Sequence, residues 1–295
     1  MAEILKGADV VSALNSKMIT DIAALGKKGI TPTMAMIRVG ERVDDVSYER
    51  TAIKRCETIG VAVKSIVLPE NVKQSELLRN VMDLNADKGV HGIVLFRPLP
   101  SHLSDEAIRA VLKPEKDVDG ITDISLAGIF TGSGSGFAPC TAQACMEILD
   151  HFKIDCNGKR AVVIGRSLVV GKPVAIMLLS RNATVTVCHT RSVDIPSIAR
   201  NSDILIAATG QMESITKEYF SPGQIVLDVG INWNEEKGML CGDAKFDDAE
   251  PIVSAITPVP GGVGTVTTSV LASHVVKAAM NLSKQREYMR SDSNR

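Results

Sequence analysis

The sequence has few aromatic residues, no excess of positive charge and no long apolar run. Aromatic residues make up 3% of the 295 residues, and the formal net charge is -1. Nucleic-acid binding usually requires a basic face or aromatic rings on which bases stack, so we expect no nucleic-acid partner. Charged residues occur at short intervals through residues 1–20, and no later apolar run is long enough to span a bilayer. We therefore expect neither a signal peptide nor a membrane partner.

The cysteines and histidines lack the spacings that are typical of metal sites. The six cysteines include no CxxC pair, and the five histidines include no HExxH or HxxxH pattern. We therefore predict neither a metal site nor a disulfide framework. Together these expectations describe a reduced, cytoplasmic protein whose partner is a small molecule. A chain of 295 residues also exceeds one typical core, which favours two domains.

The first half of the chain alternates helical and strand patterns. The apolar spacing predicts helices near 9–28, 45–59, 74–87 and 105–112, and strands at 33–39, 62–67 and 92–96. This alternation is typical of a parallel sheet covered by helices. The stretch TGSGSG at 131–136 then interrupts it. That stretch fits a flexible loop over a site, a boundary between lobes or a plain surface loop.

A second alternating series follows and has the pattern of a doubly wound nucleotide fold. Helical segments separate the predicted strands, which are 161–164, 184–188, 204–208 and 225–229. The stretch 269–287 has apolar residues at helical spacing, which predicts a helix that packs back on the first lobe. The final residues, SDSNR, are expected to be disordered.

The segment AVVIGRSLVVGKP places a β-branched strand directly before Gly165, with Gly171 at the start of the next helical pattern. A glycine turn between a strand and a helix lets the backbone approach a pyrophosphate, to which the first amides of the helix donate. The spacing is not GxGxxG, so by itself this segment is only weak evidence for a dinucleotide site.

The next predicted strand favours NADP over NAD. An NAD site commonly has an acidic residue at the end of this strand, where it binds the ribose 2′-hydroxyl. Here the strand is followed by His189, Thr190 and Arg191, and Arg166 lies on the first turn. Guanidinium groups suit phosphate oxygens, so the two arginines fit a 2′-phosphate. The alternative is that Arg191 is a solvated surface charge.

Residues 258–264, PVPGGVG, form another cluster of glycine and proline, followed by Thr265, Thr267 and Thr268. Glycines let a loop lie against a flat ligand, and a threonine near a helix start can cap the helix. The cluster fits a tight turn equally well.

Several stretches together resemble one family in order and spacing. They are VGERVDDVSY, GIVLFRPLP, PEKDVDGI, PCTAQAC, VVIGRSLVVGKPVA, ATVTVCHTR, VLDVGIN, GDAKF and ITPVPGGVGTVT. The chain resembles the bifunctional methylenetetrahydrofolate dehydrogenase/methenyltetrahydrofolate cyclohydrolase family from about residue 3 to about residue 285. The resemblance implies an α/β fold with two αβ lobes around a cleft, the second a Rossmann-like doubly wound parallel sheet. It also implies a homodimer, a folate-binding catalytic domain at 1–142 completed by a C-terminal helix at 270–288, and an NADP-binding domain at 143–269.

The resemblance also implies the chemistry and the site residues. A methylene bridge between two folate nitrogens gives a hydride to NADP, and the methenyl cation is then hydrolysed to 10-formyltetrahydrofolate. Asp119 takes the place that binds the pterin, although a DG pair alone predicts a turn residue. Tyr48 faces the folate, Pro98, Leu99 and Pro100 match the wall of its cleft, and Gly262 falls in the loop at that cleft. The cofactor-binding residues are Gly165, Arg166, Ser167, Gly171, His189, Thr190, Arg191, Ala208, Thr209, Gly210, Gly230, Ile231 and Thr265.

The sequence departs from the family pattern beside Tyr48. The pattern has a lysine four residues after this tyrosine, whereas this chain has Ala52. Phe96 stands where the family has a glutamine that would bind the lysine, and Asp45 stands where it has a serine. Lys54 is no substitute, because two helical steps turn it about 200° away from Ala52.

Alanine has no ionisable group with which to activate water. We therefore predict retained dehydrogenase activity and weak or absent cyclohydrolase activity. One alternative is a full bifunctional enzyme in which a buried Asp45 is the base, although Asp45 also fits a residue that complements the helix dipole. A second is a non-catalytic protein that senses folate or NADP, and a third is a dehydrogenase for another substrate, with Phe96 reshaping the binding site.

Overall fold

The computed structural model describes residues 1–236 and 238–292, with 285–292 described by their backbone only. In chain order the strands are β1 (Glu3–Ile4), β2 (Thr33–Val39), β3 (Ala62–Leu68), β4 (Gly92–Leu95), β5 (Arg160–Ile164), β6 (Thr184–Cys188), β7 (Ile204–Ala207), β8 (Ile225–Asp228), β9 (Asn232–Asn234), β10 (Met239–Cys241) and β11 (Ala255–Ile256). The α-helices are α1 (Gly7–Gly26), α2 (Val43–Ile59), α3 (Gln74–Ala86), α4 (Asp105–Val111), α5 (Asp123–Thr131), α6 (Cys140–His151), α7 (Gly171–Leu179), α8 (Ile195–Arg200), α9 (Phe246–Ala249) and α10 (Val263–Asp292).

The chain forms two compact units. The first unit comprises Leu14–Ala138 and the chain from Thr268 onward, and the second comprises Met1–Ala13 and Pro139–Thr267. Residues 1–13 therefore lie outside the first unit, which differs from the domain 1–142 expected from the sequence. The reason is that β1 pairs with β11, so the start of the chain adds a strand to the second sheet.

The first unit is built on a three-stranded parallel sheet in the order β3-β2-β4. The central strand β2 is buried on both faces from Met34 to Val39, and these residues are apolar except for Arg38. Its residues Ala35, Ile37 and Val39 belong to a core cluster with residues of α3 and α4. Val39 pairs with Leu68 of β3, and Ile37 pairs with Leu95 of β4. The loops after the three strands therefore leave the sheet at the same edge.

The second unit contains a six-stranded parallel sheet in the order β1-β11-β8-β7-β5-β6. Ile164 of β5 pairs with both Cys188 of β6 and Ala207 of β7, which aligns the carboxyl ends of these strands. The chain passes from β5 to β6 on one side and then crosses to β7 on the other, so the strand order reverses at β5. Ligands of doubly wound folds bind at such a reversal. The predicted α/β class and Rossmann-like sheet are confirmed.

The predicted elements agree with the structure except at the ends and in the shortest strands. The sequence analysis missed helices α5, α6 and α9, the antiparallel β9–β10 hairpin, and strands β1 and β11, which have two residues each. Helix α10 begins at Val263 instead of 269, so Thr265, Thr267 and Thr268 lie inside the helix instead of capping it. Of SDSNR, for which disorder was predicted, Ser291 and Asp292 continue α10, and 293–295 lie outside the described residues.

The TGSGSG stretch packs against α5. Gly132 ends this helix in a left-handed conformation. A Cβ at Gly128 would overlap the carbonyl oxygen of Ser135, and one at Gly136 would overlap the hydroxyl of Ser125. The glycines thus let the returning chain lie directly on the helix, and the stretch ends just before the first unit gives way to the second at Pro139.

Candidate functional site

Tyr48 lies on α2 with 36% of its surface exposed, and Phe96 follows the end of β4. Their ring centroids are 5.9 Å apart and the ring planes meet at 80°, which is an edge-to-face contact. Ala52, one turn after Tyr48, is only 1% exposed. The position at which the resemblance implies a lysine therefore holds a methyl group in a closed environment. Lys54 is exposed on α2, as the helical rotation predicts.

The buried face of α2 carries two acidic residues before it becomes apolar. Its buried residues are Asp45, Glu49, Ala52, Cys56 and Ile59, a spacing of four and three that keeps them on one face. Glu49 accepts a hydrogen bond of 2.9 Å from Nε of Arg38, a buried residue of β2. The same carboxylate accepts one from the hydroxyl of Ser65 on β3. Glu49 is thus a paired charge that fixes α2 on the sheet.

Asp45 has a different environment from Glu49. It is 7% exposed, and neither a hydrogen bond nor an ion pair joins its carboxylate to any residue in the described part of the chain. It lies in the first turn of α2, where the helix dipole favours a negative charge. Asp45 is thus a buried carboxylate on the same face as Ala52, and because it has no partner among the described residues it is available for chemistry.

A pocket of about 380 Å³ lies at the carboxyl ends of the three strands of the first sheet. It is lined by Val39, Gly40, Glu41, Arg42 and Glu70, and by the predicted folate-wall residues Pro98, Leu99 and Pro100. Arg42 closes one side by donating a hydrogen bond of 3.1 Å to the carbonyl oxygen of Pro98. The three predicted folate-wall residues therefore line a concave pocket, and in the chain they begin two residues after Phe96.

Asp119 lies in a turn that follows the short helical segment Pro114–Lys116. The amide of Gly120 donates to the carbonyl oxygen of Asp117 at 3.1 Å, and Gly120 has a φ of 68°. Asp119 is half-buried, whereas Asp117 and Val118 on its N-terminal side are buried. The DG pair thus forms the turn that its composition predicts, and this turn carries Asp119, the residue predicted to bind the pterin.

The glycine turn after β5 is a close approach of backbone to backbone. Gly165 has a φ of 134°, and a Cβ there would overlap the carbonyl oxygen of Ala208. A Cβ at Gly171 would overlap the carbonyl oxygen of Gly165. The hydroxyl of Ser167 accepts from the amides of Val170 and Gly171, at 3.1 and 3.4 Å. These contacts place the first turn of α7 at the strand reversal, where a phosphate group would be expected.

The loop after β6 begins beside this turn, because the amide of Gly165 donates to the carbonyl oxygen of Cys188. Nδ1 of His189 accepts from the amide of Arg191 at 3.2 Å, and the hydroxyl of Ser192 accepts from the amide of His189 at 3.0 Å. Thr190, between His189 and Arg191 in the chain, is exposed. The side chains of Arg166 and Arg191 are exposed, and neither pairs with a carboxylate of any described residue. Both guanidinium groups are therefore free to receive an anion.

Two buried aspartates that the sequence analysis missed organise the loops after β7 and β8. Asp243 accepts from the amide of Gly210 at 2.8 Å and from the side chain of Asn232 at 3.0 Å. Asp228 accepts from the amides of Gly230, Asp243 and Ala244 at 2.8 to 3.0 Å. Burial raises the pKa of Asp228 to about 7, against the lowering effect of these three amides. The aspartates fix the backbone of two predicted cofactor-binding residues, Gly210 and Gly230.

The remaining predicted residues also lie in the second unit. Ala208 extends the β7 pairing by donating to the carbonyl oxygen of Ile164, and the hydroxyl of Thr209 accepts from the amide of Gln211. Ile231 is 60% exposed, and Thr265 lies in the first turn of α10. Gly262, predicted to bind substrate, is buried, and a Cβ there would overlap the carbonyl oxygen of Pro258.

The structure thus groups the predicted residues by unit. Tyr48, Phe96, the prolines at 98 and 100, Leu99 and Asp119 belong to the first unit, and Gly262 belongs with the cofactor residues to the second. Over the described ranges, no group of three or more His, Cys, Asp or Glu side chains is arranged to hold a metal ion. No helix in the same ranges has the length and apolarity needed to cross a bilayer.

Most of the chain matches one family. The model of the tetrahydrofolate dehydrogenase/cyclohydrolase catalytic domain matches residues 5–119, and that of the NAD(P)-binding domain of the same enzymes matches residues 139–283. A bifunctional protein FolD from Carboxydothermus hydrogenoformans is 48% identical over 279 residues, covering 94% of this chain and 97% of the relative. One from Clostridioides difficile is 47% identical over 276 residues, covering 94% of this chain and 96% of the relative.

Solved structures give the same assignment. The bifunctional FolD of Campylobacter jejuni superposes with a TM-score of 0.93 at 38% identity, over 95% of this chain and 99% of that one. The FolD of Trypanosoma brucei, solved with NADP cofactor and inhibitor, superposes with a TM-score of 0.88 at 36% identity, over 95% of this chain and 98% of that one. This chain therefore belongs to the tetrahydrofolate dehydrogenase/cyclohydrolase family of one-carbon metabolism.

Proposed function

We propose that this protein oxidises 5,10-methylenetetrahydrofolate to 5,10-methenyltetrahydrofolate with hydride transfer to NADP, and that it hydrolyses the methenyl product weakly or not at all. The observation that carries the second part is Ala52, which is buried, cannot ionise and lies one turn from Tyr48. The family resemblance implies a lysine at this position. The two reactions make different demands on that residue.

Hydride transfer needs no side-chain base. A hydride leaves the methylene carbon with its electron pair and adds to the nicotinamide ring, while the lone pairs of the two folate nitrogens stabilise the cation that remains. The protein contributes by holding the reactants in contact. In the proposed roles, Asp119 accepts hydrogen bonds from the pterin, Tyr48 and Phe96 contact the folate, and the glycine turn at Gly165 holds the pyrophosphate.

Hydrolysis needs proton transfers. Water adds to the methenyl carbon and loses a proton, which leaves a hydroxyl group on that carbon. The hydroxyl then loses its proton to form the formyl C=O, and the bond from that carbon to one ring nitrogen breaks as the nitrogen gains a proton. A positioned acid or base typically accelerates such steps about 10²–10⁴-fold. Ala52 offers neither a proton nor a lone pair, so this acceleration is missing from its position.

An assay of both reactions on one purified sample tests the proposal. We expect steady formation of NADPH from methylenetetrahydrofolate, with methenyltetrahydrofolate accumulating in step with it. Hydrolysis of added methenyltetrahydrofolate should exceed the buffer rate only slightly. Fast, matched turnover in both assays would contradict the cyclohydrolase part, and absence of NADPH formation would contradict the dehydrogenase part.

Asp45 gives a second candidate function, a full bifunctional enzyme in which this carboxylate takes the place of the lysine. The supporting observation is that Asp45 is buried on the face that carries Ala52 and has no partner among the described residues. If Asp45 is the base, Asp45→Asn should reduce cyclohydrolase turnover about 100-fold or more while leaving dehydrogenase turnover within about twofold. Unchanged cyclohydrolase turnover would exclude this candidate. Asp44→Asn, on the exposed side of the same turn, is the control.

The preference for NADP rests on Arg166 and Arg191, whose exposed guanidinium groups face no described carboxylate. A charged hydrogen bond to phosphate contributes about 1.5–3 kcal/mol. Arg191→Ala should therefore raise KM for NADP about tenfold or more and leave KM for NAD within about twofold.

Arg160→Ala is the control for the Arg191 prediction. Arg160 lies at the opposite end of β5, where it pairs with Asp203 on the surface, and its removal should change neither KM. A parallel loss of affinity for both dinucleotides in Arg191→Ala would mean that this arginine does not bind the 2′-phosphate.

A further inference from the structure

The turn that carries Asp119 is held in place from several directions. We call residues 114–122 the Asp119 loop. Nζ of Lys116 is buried and donates to the carbonyl oxygens of Leu84 and Asp87 at the end of α3, at 2.8 and 2.6 Å. Asp117 forms an isolated parallel bridge with Ile93 of β4. The N-terminal half of the loop is therefore joined to the sheet by a backbone bridge and to the end of α3 by hydrogen bonds.

The carboxylate of Asp117 holds the other half of the loop. It is fully buried and accepts from the amide of Ile121 at 3.0 Å, the amide of Thr122 at 2.8 Å and the hydroxyl of Ser125 at 2.6 Å. These donors lie on the C-terminal side of Asp119, whereas Asp117 lies on its N-terminal side. One side chain thus closes the turn around Asp119.

Helix α10 supplies another support. Nδ1 of His274 lies 2.8 Å from the carbonyl oxygen of Val118, the residue directly before Asp119. Because a carbonyl oxygen only accepts, Nδ1 carries the proton. Burial lowers the pKa of His274 to about 4, so the ring is neutral at physiological pH. The ring also lies against Phe137, with centroids 4.9 Å apart, which restricts its rotation.

These contacts exceed what a surface turn requires. Gly120 and the turn hydrogen bond already suffice to reverse the chain. The additional contacts come from β4, α3, α5 and α10, and they converge on the three residues that precede Asp119. The effect of such convergence is to fix the position of one carboxylate, and a displacement of about 1 Å in a reacting complex can cost about 100-fold in rate.

From this arrangement we infer that Asp117 and His274 are positioning residues, which hold the carboxylate of Asp119 where it binds the pterin ring of the substrate. The inference rests on the proposed function, since it assigns Asp119 its ligand. Asp117 fixes the backbone on both sides of Asp119, and His274 fixes the carbonyl that precedes it. Neither residue touches substrate.

Variants at His274 test the inference through the two Michaelis constants. His274→Leu keeps the apolar packing and removes the donor, and we expect it to raise KM for methylenetetrahydrofolate about tenfold with KM for NADP within about twofold. His274→Asn keeps an N–H donor near the position of Nδ1 and should recover most of the loss. Ser269→Ala is the control, because Ser269 is buried on the same helix and its hydroxyl has no hydrogen-bond partner among the described residues.

A double-mutant cycle distinguishes positioning from general support of the fold. If His274 acts through Asp119, His274→Leu should have little further effect on the folate KM in an Asp119→Asn background. If it only supports the fold, the two effects should multiply. Asp117→Asn, which leaves one acceptor oxygen for three donors, should likewise raise the folate KM and lose its effect in the Asp119→Asn background.

The outcomes separate the inference from the proposed function. Turnover of methylenetetrahydrofolate by the unmodified protein tests the function alone. If the unmodified protein turns over and the folate KM of His274→Leu is unchanged, the inference is wrong and the function stands. Equal changes in both Michaelis constants, or multiplicative effects in the cycle, would also overturn the inference.

Discussion

Introducing a lysine at position 52 together with a glutamine at position 96 is expected to raise cyclohydrolase turnover about 10²–10⁴-fold over the unmodified protein. The reason is that Ala52→Lys returns an ionisable group to the turn after Tyr48. Phe96→Gln replaces the ring that packs edge-on against Tyr48 with an amide that can hydrogen-bond the new ammonium. Dehydrogenase turnover should stay within a few-fold, since hydride transfer needs no base.

The lysine alone should give a smaller gain. The side chain at position 52 is 1% exposed and shares its helix face with the carboxylates of Asp45 and Glu49. An ammonium placed there without the amide is expected to pair with a carboxylate. This pairing stabilises the protonated form, so that little neutral amine is present to act as a base. Burying the longer side chain should also lower the free energy of unfolding by about 1–3 kcal/mol.

The control places the same charge on a different face of the helix. Thr51 is exposed on α2, so Thr51→Lys adds an ammonium that points to solvent. Cyclohydrolase and dehydrogenase turnover are measured for this variant, for Ala52→Lys and for the Ala52→Lys/Phe96→Gln protein. If the double variant folds, oxidises its substrate and hydrolyses no faster than Thr51→Lys, the explanation based on position 52 fails.

A methyl group at Gly165 is expected to lower the free energy of unfolding by more than about 3 kcal/mol and to abolish NADP-dependent turnover. Gly165 has a φ of 134°, and a Cβ there would overlap the carbonyl oxygen of Ala208. Ala208 donates to β5 and therefore cannot move without breaking the pairing of β5 with β7. The clash must displace the loop on which the dinucleotide is proposed to bind.

Gly158→Ala is the matched control for this substitution. Gly158 precedes β5 in the same unit and has a φ of 71°, but no atom lies within 4 Å of an added Cβ. Only the backbone conformation is then penalised, by about 1–2 kcal/mol. Denaturant unfolding and NADP turnover are measured for both variants. Equal unfolding midpoints would show that the contact with Ala208 carries little of the cost.

The sequence predicts strands β5, β6, β7 and β8 of the second unit well because each is rich in β-branched residues and lies between turn residues. The turn at Gly165 was also predictable, because Gly165 directly follows such a strand. The role of Asp243 was not predictable, because it accepts a hydrogen bond from the amide of Gly210, far away in the chain. Nothing near Asp243 in the sequence indicates that partner. His274 was missed for the same reason, since its partner Val118 is also distant in the chain. The partners of Asp117 lie only four to eight residues after it, but their pattern does not mark it as their acceptor. Strands β1 and β11 are too short to show any periodicity.

The residues of α2 divide in the same way. The α2 pattern predicted that Ala52 and Tyr48 lie one turn apart and that Lys54 points elsewhere, because helical rotation depends only on local geometry. The pattern gave no indication that Glu49 is buried, since a charged residue on a helix is usually solvated. Its burial depends on Arg38 and Ser65, which reach it from two different strands.

The pair of Glu49 and Arg38 also limits how this protein can diverge. A neutral residue at either position would strand an opposite charge in the interior, so a lineage cannot pass through the single change without a heavy loss of stability. Positions 38 and 49 should therefore vary together among descendants of this chain, even though neither residue has a part in the chemistry.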